Sequence, residues 1–168
     1  EVDLVTPLAD GSQVSIITSE TDQGLETIRH STAHILAQAV LELYPGATFA
    51  IGPPIENGFY YDFDIPDGVA IKEEELEKIE QKMRQIIQAD QAFVRGETTV
   101  EQALKIFSDH PYKCEIIESA DKSEVDDSET ISFYQNGDGF VDLCRGPHVP
   151  STGKVAHFKL MSVAGAYW

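Results

Sequence analysis

The chain has 168 residues, of which 42% are apolar and 24% charged, with 29 Asp+Glu against 12 Lys+Arg and a formal net charge of −17. That length suits one domain, or one domain plus a fragment of another, and the composition is that of a globular protein rather than a disordered acidic one. The acidic sum argues against binding nucleic acid through a generic basic surface, although a local RNA site stays possible. The charge is uneven: residues 115–129 carry a net −6 and residues 130–168 a net +1.

The uncharged stretch 43–55 holds three prolines in 13 residues, too short and too broken to span a bilayer. The start lacks an initiator Met and a signal-peptide pattern, and the last residues, 164–168, carry no polar tail. We therefore expect an excised piece of a longer, cytoplasmic protein, with Cys114 and Cys144 as reduced thiols.

Residues 1–18 alternate apolar and polar around Asp10-Gly11, the pattern of a hairpin too small to bury its own face. From 25 to 43, Leu25, Ile28, Thr32, Ile35, Leu36, Ala39 and Leu43 recur at helical steps until Pro45-Gly46 stops them. Residues 48–51 and 58–65 then read as strands around a Gly52-Pro53-Pro54 break, the second rich in aromatics. A second helix is expected over 72–89, with Leu76, Ile79, Met83, Ile86 and Ile87 as its stripe and three glutamates in its first turn. A strand over 93–98 leads into a third helix at 100–107, for which Thr99 is a cap. Residues 118–129 are acidic and expected to be exposed. Strands follow at 131–135 and 140–143, joined by Asn136-Gly137-Asp138-Gly139, and a last strand is expected over 155–163. The order implies a mixed α+β fold.

His30-Ser31-Thr32-Ala33-His34 sets two imidazoles one helical turn apart, projecting from one face and away from the stripe that contains Ile28. Metal sites use this spacing, and so do sites where one His acts on a substrate while another orients it. Cys144-Arg145-Gly146-Pro147-His148 adds a thiol and a third imidazole at a turn, so the two segments together supply four donors for Zn²⁺. The plainer alternative is a set of structural, hydrogen-bonded His and Cys side chains. Asp142 shares a strand face with Cys144. Lys113 is a cationic candidate, and of Tyr60 and Tyr61, which point to opposite faces of their strand, one should pack in the core and the other line a site. His110 and His157 lack a partner at a telling spacing and read as structural. Walker, dinucleotide and Gly-x-Ser-x-Gly signatures are absent.

The motifs HSTAH (30–34) and CRGPH (144–148), with AIGPPIENGFYYDFD (50–64) between them and HFKLMSVAGAYW (157–168) after, resemble the editing domain of bacterial threonyl-tRNA synthetases. Residues 1–19 are similar to the end of that family's ubiquitin-like β-grasp (TGS) domain, which makes 20–163 the editing domain and 164–168 the start of a linker. The resemblance implies an α+β fold whose mainly antiparallel sheet packs with helices. It also implies hydrolysis of serine mischarged onto threonine tRNA. Carried over by position, His30, Lys113 and Asp142 would be catalytic, while His34, Tyr61, Cys144 and His148 would bind substrate. Lys113 and His30 would activate or position water, and Asp142 would pair with the seryl ammonium or hydroxyl.

Implied partners are the 3′ end of the tRNA and the remainder of a synthetase that dimerises when whole, with no membrane. The family's editing site is understood to need no cofactor, while zinc and ATP belong to the separate catalytic domain. Alanyl-tRNA synthetase editing domains share the His-x-x-x-His and Cys-x-x-x-His pattern and use zinc. If a metal bound here, its ligands would be His30, His34, Cys144 and His148. Two alternatives stand beside this reading: a zinc-dependent alanyl-type deacylase, and a non-catalytic tRNA-binding module.

Overall fold

The structure, a computed structural model, describes residues 1–66, 69–119 and 130–165. Its centre is helix α1 (Asp22–Leu43), which Thr21 opens by accepting a hydrogen bond from the Gly24 N–H and which Asp22 favours at the positive end of the dipole. Every residue from Ser31 to Val40 is buried, so α1 is a core helix covered on all sides rather than an amphipathic surface helix. A single 3₁₀ turn, Glu73–Glu75, leads into α2 (Leu76–Gln88). The stripe Ile79, Met83 and Ile86 packs on Ile35, Leu36, Ala39 and Val40 of α1, and Lys82 Nζ reaches Glu42 of α1 at 2.6 Å.

Two small ladders lie beside α1. β1 (Thr48–Phe49) pairs antiparallel with β4 (Phe63–Asp64), and β2 (Pro54–Ile55) pairs with β3 (Gly58–Phe59). The main sheet is antiparallel in the order β5 (Phe93–Thr99), β6 (Thr130–Asn136), β7 (Phe140–Leu143). Its register sets Tyr134 opposite Asp142, and Gly137, at φ +57°, turns β6 into β7. Thr99 caps α3 (Val100–Ile106), which is followed by α4 (Pro111–Ser119). Ala103, Phe107, Ile117 and Ile131 join these helices to the sheet in a second apolar cluster. The architecture is α+β, with small antiparallel sheets and four α-helices among the described residues.

Four expectations need correction. Residues 1–18 form turns at Asp3–Thr6 and at Ala9–Ser12 but no strands. Leu4, Val5, Leu8, Val14 and Ile16 are all exposed, and a lone strand pair without an apolar surface to cover it is not stable. Residues 155–163 are not a strand either. The segment runs over α2, held where Leu160 N–H donates to Glu80 Oε1 at 3.0 Å and Lys159 Nζ pairs with the same oxygen at 2.7 Å. The aromatic stretch 58–65 is two short strands rather than one, because Asp62 turns its backbone to Ala50 and Ile51. Helix α4 was not foreseen; its signal was Pro111, well suited to a first helical position, where no N–H is required. Of the acidic stretch 118–129, residues 120–129 lie outside the described residues.

Ile79 is 1% exposed at the centre of the α1–α2 contact. Ile79→Ala should destabilise the chain by about 2–5 kcal/mol in urea unfolding, whereas Val94→Ala on the exposed side of β5 should cost less than about 0.5 kcal/mol. Equal midpoints for the two variants would show that this contact is not the main core.

Candidate active site

Five parts of the chain meet at one cavity of about 330 Å³. Helix α1 supplies His30 and His34, α4 supplies Lys113, the end of β7 supplies Asp142 and Cys144, and the β3–β4 connection supplies Tyr61. The Gly52-Pro53-Pro54 segment closes one wall. His148 stands behind this set, its ring 4.3 Å from that of His30 and 4.2 Å from that of His34. All seven residues singled out in the sequence therefore converge. Tyr61 lines the cavity, whereas Tyr60 faces solvent instead of packing in the core. His157 is exposed and outside it.

The Asp142 carboxylate is 1% exposed and shared by three partners. Lys113 Nζ lies 2.6 Å from Oδ1. Tyr61 OH donates to Oδ2 at 2.5 Å, and His34 Nε2 lies 3.3 Å from the same oxygen. Lys113 also donates to Tyr61 OH at 3.0 Å, and its ammonium sits 4.7 Å from the centre of the Phe49 ring. Lys113 is thus a buried, paired cation, contrary to the usual surface fate of a lysine. His34 also differs from expectation: it does not point away from the apolar side of α1 but is 2% exposed, between Phe93 and Phe140.

A second cluster centres on the thiol. Cys144 Sγ lies 3.4 Å from His30 Nε2 and 3.2 Å from His148 Nε2, and it accepts from the Gly146 N–H at 3.1 Å. Burial lowers the pKa of His30 and drives those of His34 and His148 well below the ordinary imidazole value, so all three are neutral at pH 7. Burial, with the Asp142 charge added, pushes the Cys144 thiol up. Burial and the same carboxylate do likewise to the Tyr61 phenol. The site therefore combines one buried ion pair with neutral proton acceptors.

Residues that the motifs left unremarked hold the outer wall. Ser31 Oγ is 2.9 Å from His148 Nδ1 and accepts from Val149 N–H at 3.1 Å. Asp3 accepts from the His148 N–H at 2.9 Å and from Tyr134 OH at 2.5 Å. Ser31 was visible inside the first motif; nothing around Asp3 in the sequence marks it. Gly146, at φ +72°, lies against the Tyr134 hydroxyl, where a side chain would collide.

One ligand atom each from His30, His34, Cys144 and His148 lies within 4.8 Å of the other three. His34 Nδ1 is buried without a hydrogen-bond partner while its Nε2 faces Asp142. A thiolate and three imidazoles suit tetrahedral Zn²⁺, and a carboxylate behind a ligating His is its usual support, so these residues fit such an ion.

Residues 131–166 match the family model of the threonyl and alanyl tRNA synthetase second additional domain. Over 99% of its length the chain is 50% identical to a threonine-tRNA ligase of Rubrobacter xylanophilus and 51% identical to one of Acetivibrio thermocellus. It is 52% identical to a third, from Citrifermentans bemidjiense, again over 99% of its length. In each case the chain spans 25% of the relative's own length. No helix among the described residues is long and apolar enough to cross a membrane. With half of its residues shared from end to end with these ligases, and with second-additional-domain sequence in its last third, the chain is similar to a segment about a quarter of the length of a threonyl-tRNA synthetase, which supports a fragment of that family.

Proposed function

We propose that the cavity hydrolyses the ester of serine mischarged onto threonine tRNA. The observation that carries this reading is the buried Lys113–Asp142 pair, 2.6 Å apart, facing the same cavity as the neutral His30 imidazole. Aminoacyl ester hydrolysis needs a water made nucleophilic and a fixed positive charge for the oxyanion. The biological need follows from size: serine lacks one methyl of threonine, and that difference supplies only about 1–3 kcal/mol of discrimination in a single binding step. A second pocket that admits serine and excludes the larger side chain supplies the rest.

In this reading His30 takes a proton from water as the water oxygen attacks the seryl carbonyl carbon. The carbonyl electron pair moves onto oxygen, where the Lys113 ammonium stabilises it. Collapse expels the ribose oxygen, which regains the proton from His30, leaving free serine and uncharged tRNA. Asp142 holds Lys113 and Tyr61 in place; its Oδ2 is occupied by Tyr61 and His34, which leaves the second lone pair of Oδ1 for a seryl ammonium or hydroxyl. His34, Tyr61, Cys144 and His148 shape the pocket for serine and the terminal adenosine. Residues 20–163 form the editing unit, and the net charge of −17 makes the tRNA affinity of this segment depend on the rest of the synthetase chain, a dimer when whole. That remainder carries the ATP and zinc sites for aminoacylation, and the enzyme works in the cytoplasm.

A second reading has one observation in its favour, the four donors within 4.8 Å. His30, His34, Cys144 and His148 would hold Zn²⁺, and the ion would supply Lewis-acid polarisation of the ester. We favour the metal-free form, because the Gly146 N–H and two imidazoles already surround the Cys144 sulfur and the buried Lys113 ammonium supplies the positive charge that an ion would otherwise provide. Near-stoichiometric zinc by elemental analysis, retained through chelation with loss of deacylation on its removal, would replace this proposal with the metal-dependent one.

The direct assay is release of serine from seryl-tRNA(Thr) by this chain. Lys113→Ala and His30→Ala should each lower the rate by about 10²–10³-fold with the fold retained by circular dichroism. Full activity in both variants would remove these roles. A wild-type rate no faster than buffer would leave a tRNA-binding module, and a preference for alanine tRNA would leave an alanyl-type deacylase. The pH profile has a definite sign. His30 must be neutral to accept a proton, and its lowered pKa keeps it so at pH 7, so kcat should be flat from pH 7 to 8 and fall only below the ordinary imidazole value of 6.5. A rate that rises as pH falls through 6 would contradict a neutral-imidazole base.

A further inference from the structure

The phenol of Tyr61 is placed by a missing atom. Gly52 stands directly across the cavity wall from the Tyr61 ring, and a Cβ built there would lie 2.5 Å from Cγ and Cε2 and closer still to Cδ2. Gly52 has no left-handed φ, so its backbone does not call for glycine. Only the space does.

Two aromatic rings confine the Tyr61 ring further: Phe63 stacks on it with centroids 5.4 Å apart, and Phe49 tilts against it at 5.7 Å. The backbones of the two segments are locked together next to the contact. Ala50 N–H donates to Asp62 O and Asp62 N–H to Ile51 O, both at 3.0 Å. From this seat the Tyr61 hydroxyl donates to Asp142 and accepts from Lys113. Displacing the ring by the van der Waals excess of one methyl would therefore break both bonds and leave the buried pair short of a partner.

We infer that Gly52 is a positioning residue, whose absent side chain seats Tyr61 so that its hydroxyl bridges Lys113 and Asp142. For catalysis the inference rests on the hydrolytic reading above; for structure it stands by itself. In this chain, Gly52→Ala should lower kcat for seryl-tRNA(Thr) deacylation by about tenfold or more, with KM changed by less than about threefold, as expected for misplaced reacting groups. Tyr61→Ala removes the ring, so Gly52→Ala added to it should cause no further loss. Losses that multiply in the double variant would overturn the inference.

An activity-independent arm separates this inference from the hydrolytic reading. In chain labelled with 3-fluorotyrosine, the Tyr61 resonance, identified by its disappearance in Tyr61→Phe, should shift in Gly52→Ala while those of the other five of the 6 tyrosines stay in place. An unmoved Tyr61 resonance would overturn it whether or not the chain deacylates. If Gly52→Ala alone does not fold, Gly52→Ala/Tyr61→Ala should fold again because the space is restored. An unfolded double variant, with Tyr61→Ala itself folded, counts against the inference equally.

Discussion

The Asp142 carboxylate binds together three other parts of the fold. Lys113 reaches it from α4, His34 from α1 and Tyr61 from the β3–β4 connection, while Asp142 itself sits on β7. Desolvating a carboxylate and an ammonium costs several kcal/mol per ion, a cost offset by their own contact at 2.6 Å and by the contacts of Tyr61 and His34 to Oδ2. Removing any one donor would leave a buried charge under-satisfied, a much larger penalty than the net value of the bond. Such a network is a weak source of stability and a strong source of position. It makes the site a single unit.

The apolar architecture around the network explains why it can exist. Ile35, Leu36, Ala39 and Val40 of α1 pack on α2, and the residues between them are buried as well, so α1 has no solvent face over its middle. His34 is consequently a polar group inside the core, tolerated because it is neutral and turned toward Asp142. On the opposite side, the cluster of Ala103, Phe107, Ile117 and Ile131 fixes α4 against the sheet and so carries Lys113 inward. Aromatic rings fill what remains: Phe49 lies beside both the Lys113 ammonium and Tyr61, and Phe93 stacks on His148 with centroids 4.6 Å apart. Excluding water in this way strengthens every charge interaction at the cavity floor.

The same design separates two chemistries within a few ångströms. Around Cys144 the groups are neutral and soft, a thiol among imidazoles, and Ser31 and the backbone of the 144–148 turn orient them. Around Asp142 they are ionic and hard. His34 touches both, with Nε2 on the carboxylate and a ring edge on His148. A cavity wall that joins a fixed cation to a neutral proton acceptor suits ester hydrolysis, in which charge develops on one atom as a proton leaves another.

Much of this was legible before any coordinates. Helical periodicity located α1 and α2 because burial stripes repeat every 3.6 residues, and the turn residues Asn136-Gly137 located the β6–β7 hairpin because backbone geometry there depends on local sterics alone. The His-x-x-x-His and Cys-x-x-x-His spacings picked out residues that gather at the cavity because neighbours on one helix or one turn are set by short-range geometry. Local patterns failed wherever the answer depended on a distant surface. The local patterns in residues 1–18 and 155–163 carry no information about whether a pairing edge is available, and neither segment forms a strand. His34 read as lying off the apolar stripe because periodicity cannot tell a half-covered helix from one enclosed on every side. Lys113 and Asp142, 29 positions apart, became an ion pair only when α4 packed against the sheet, since burial of a charge is decided by everything around it and not by its neighbours in sequence.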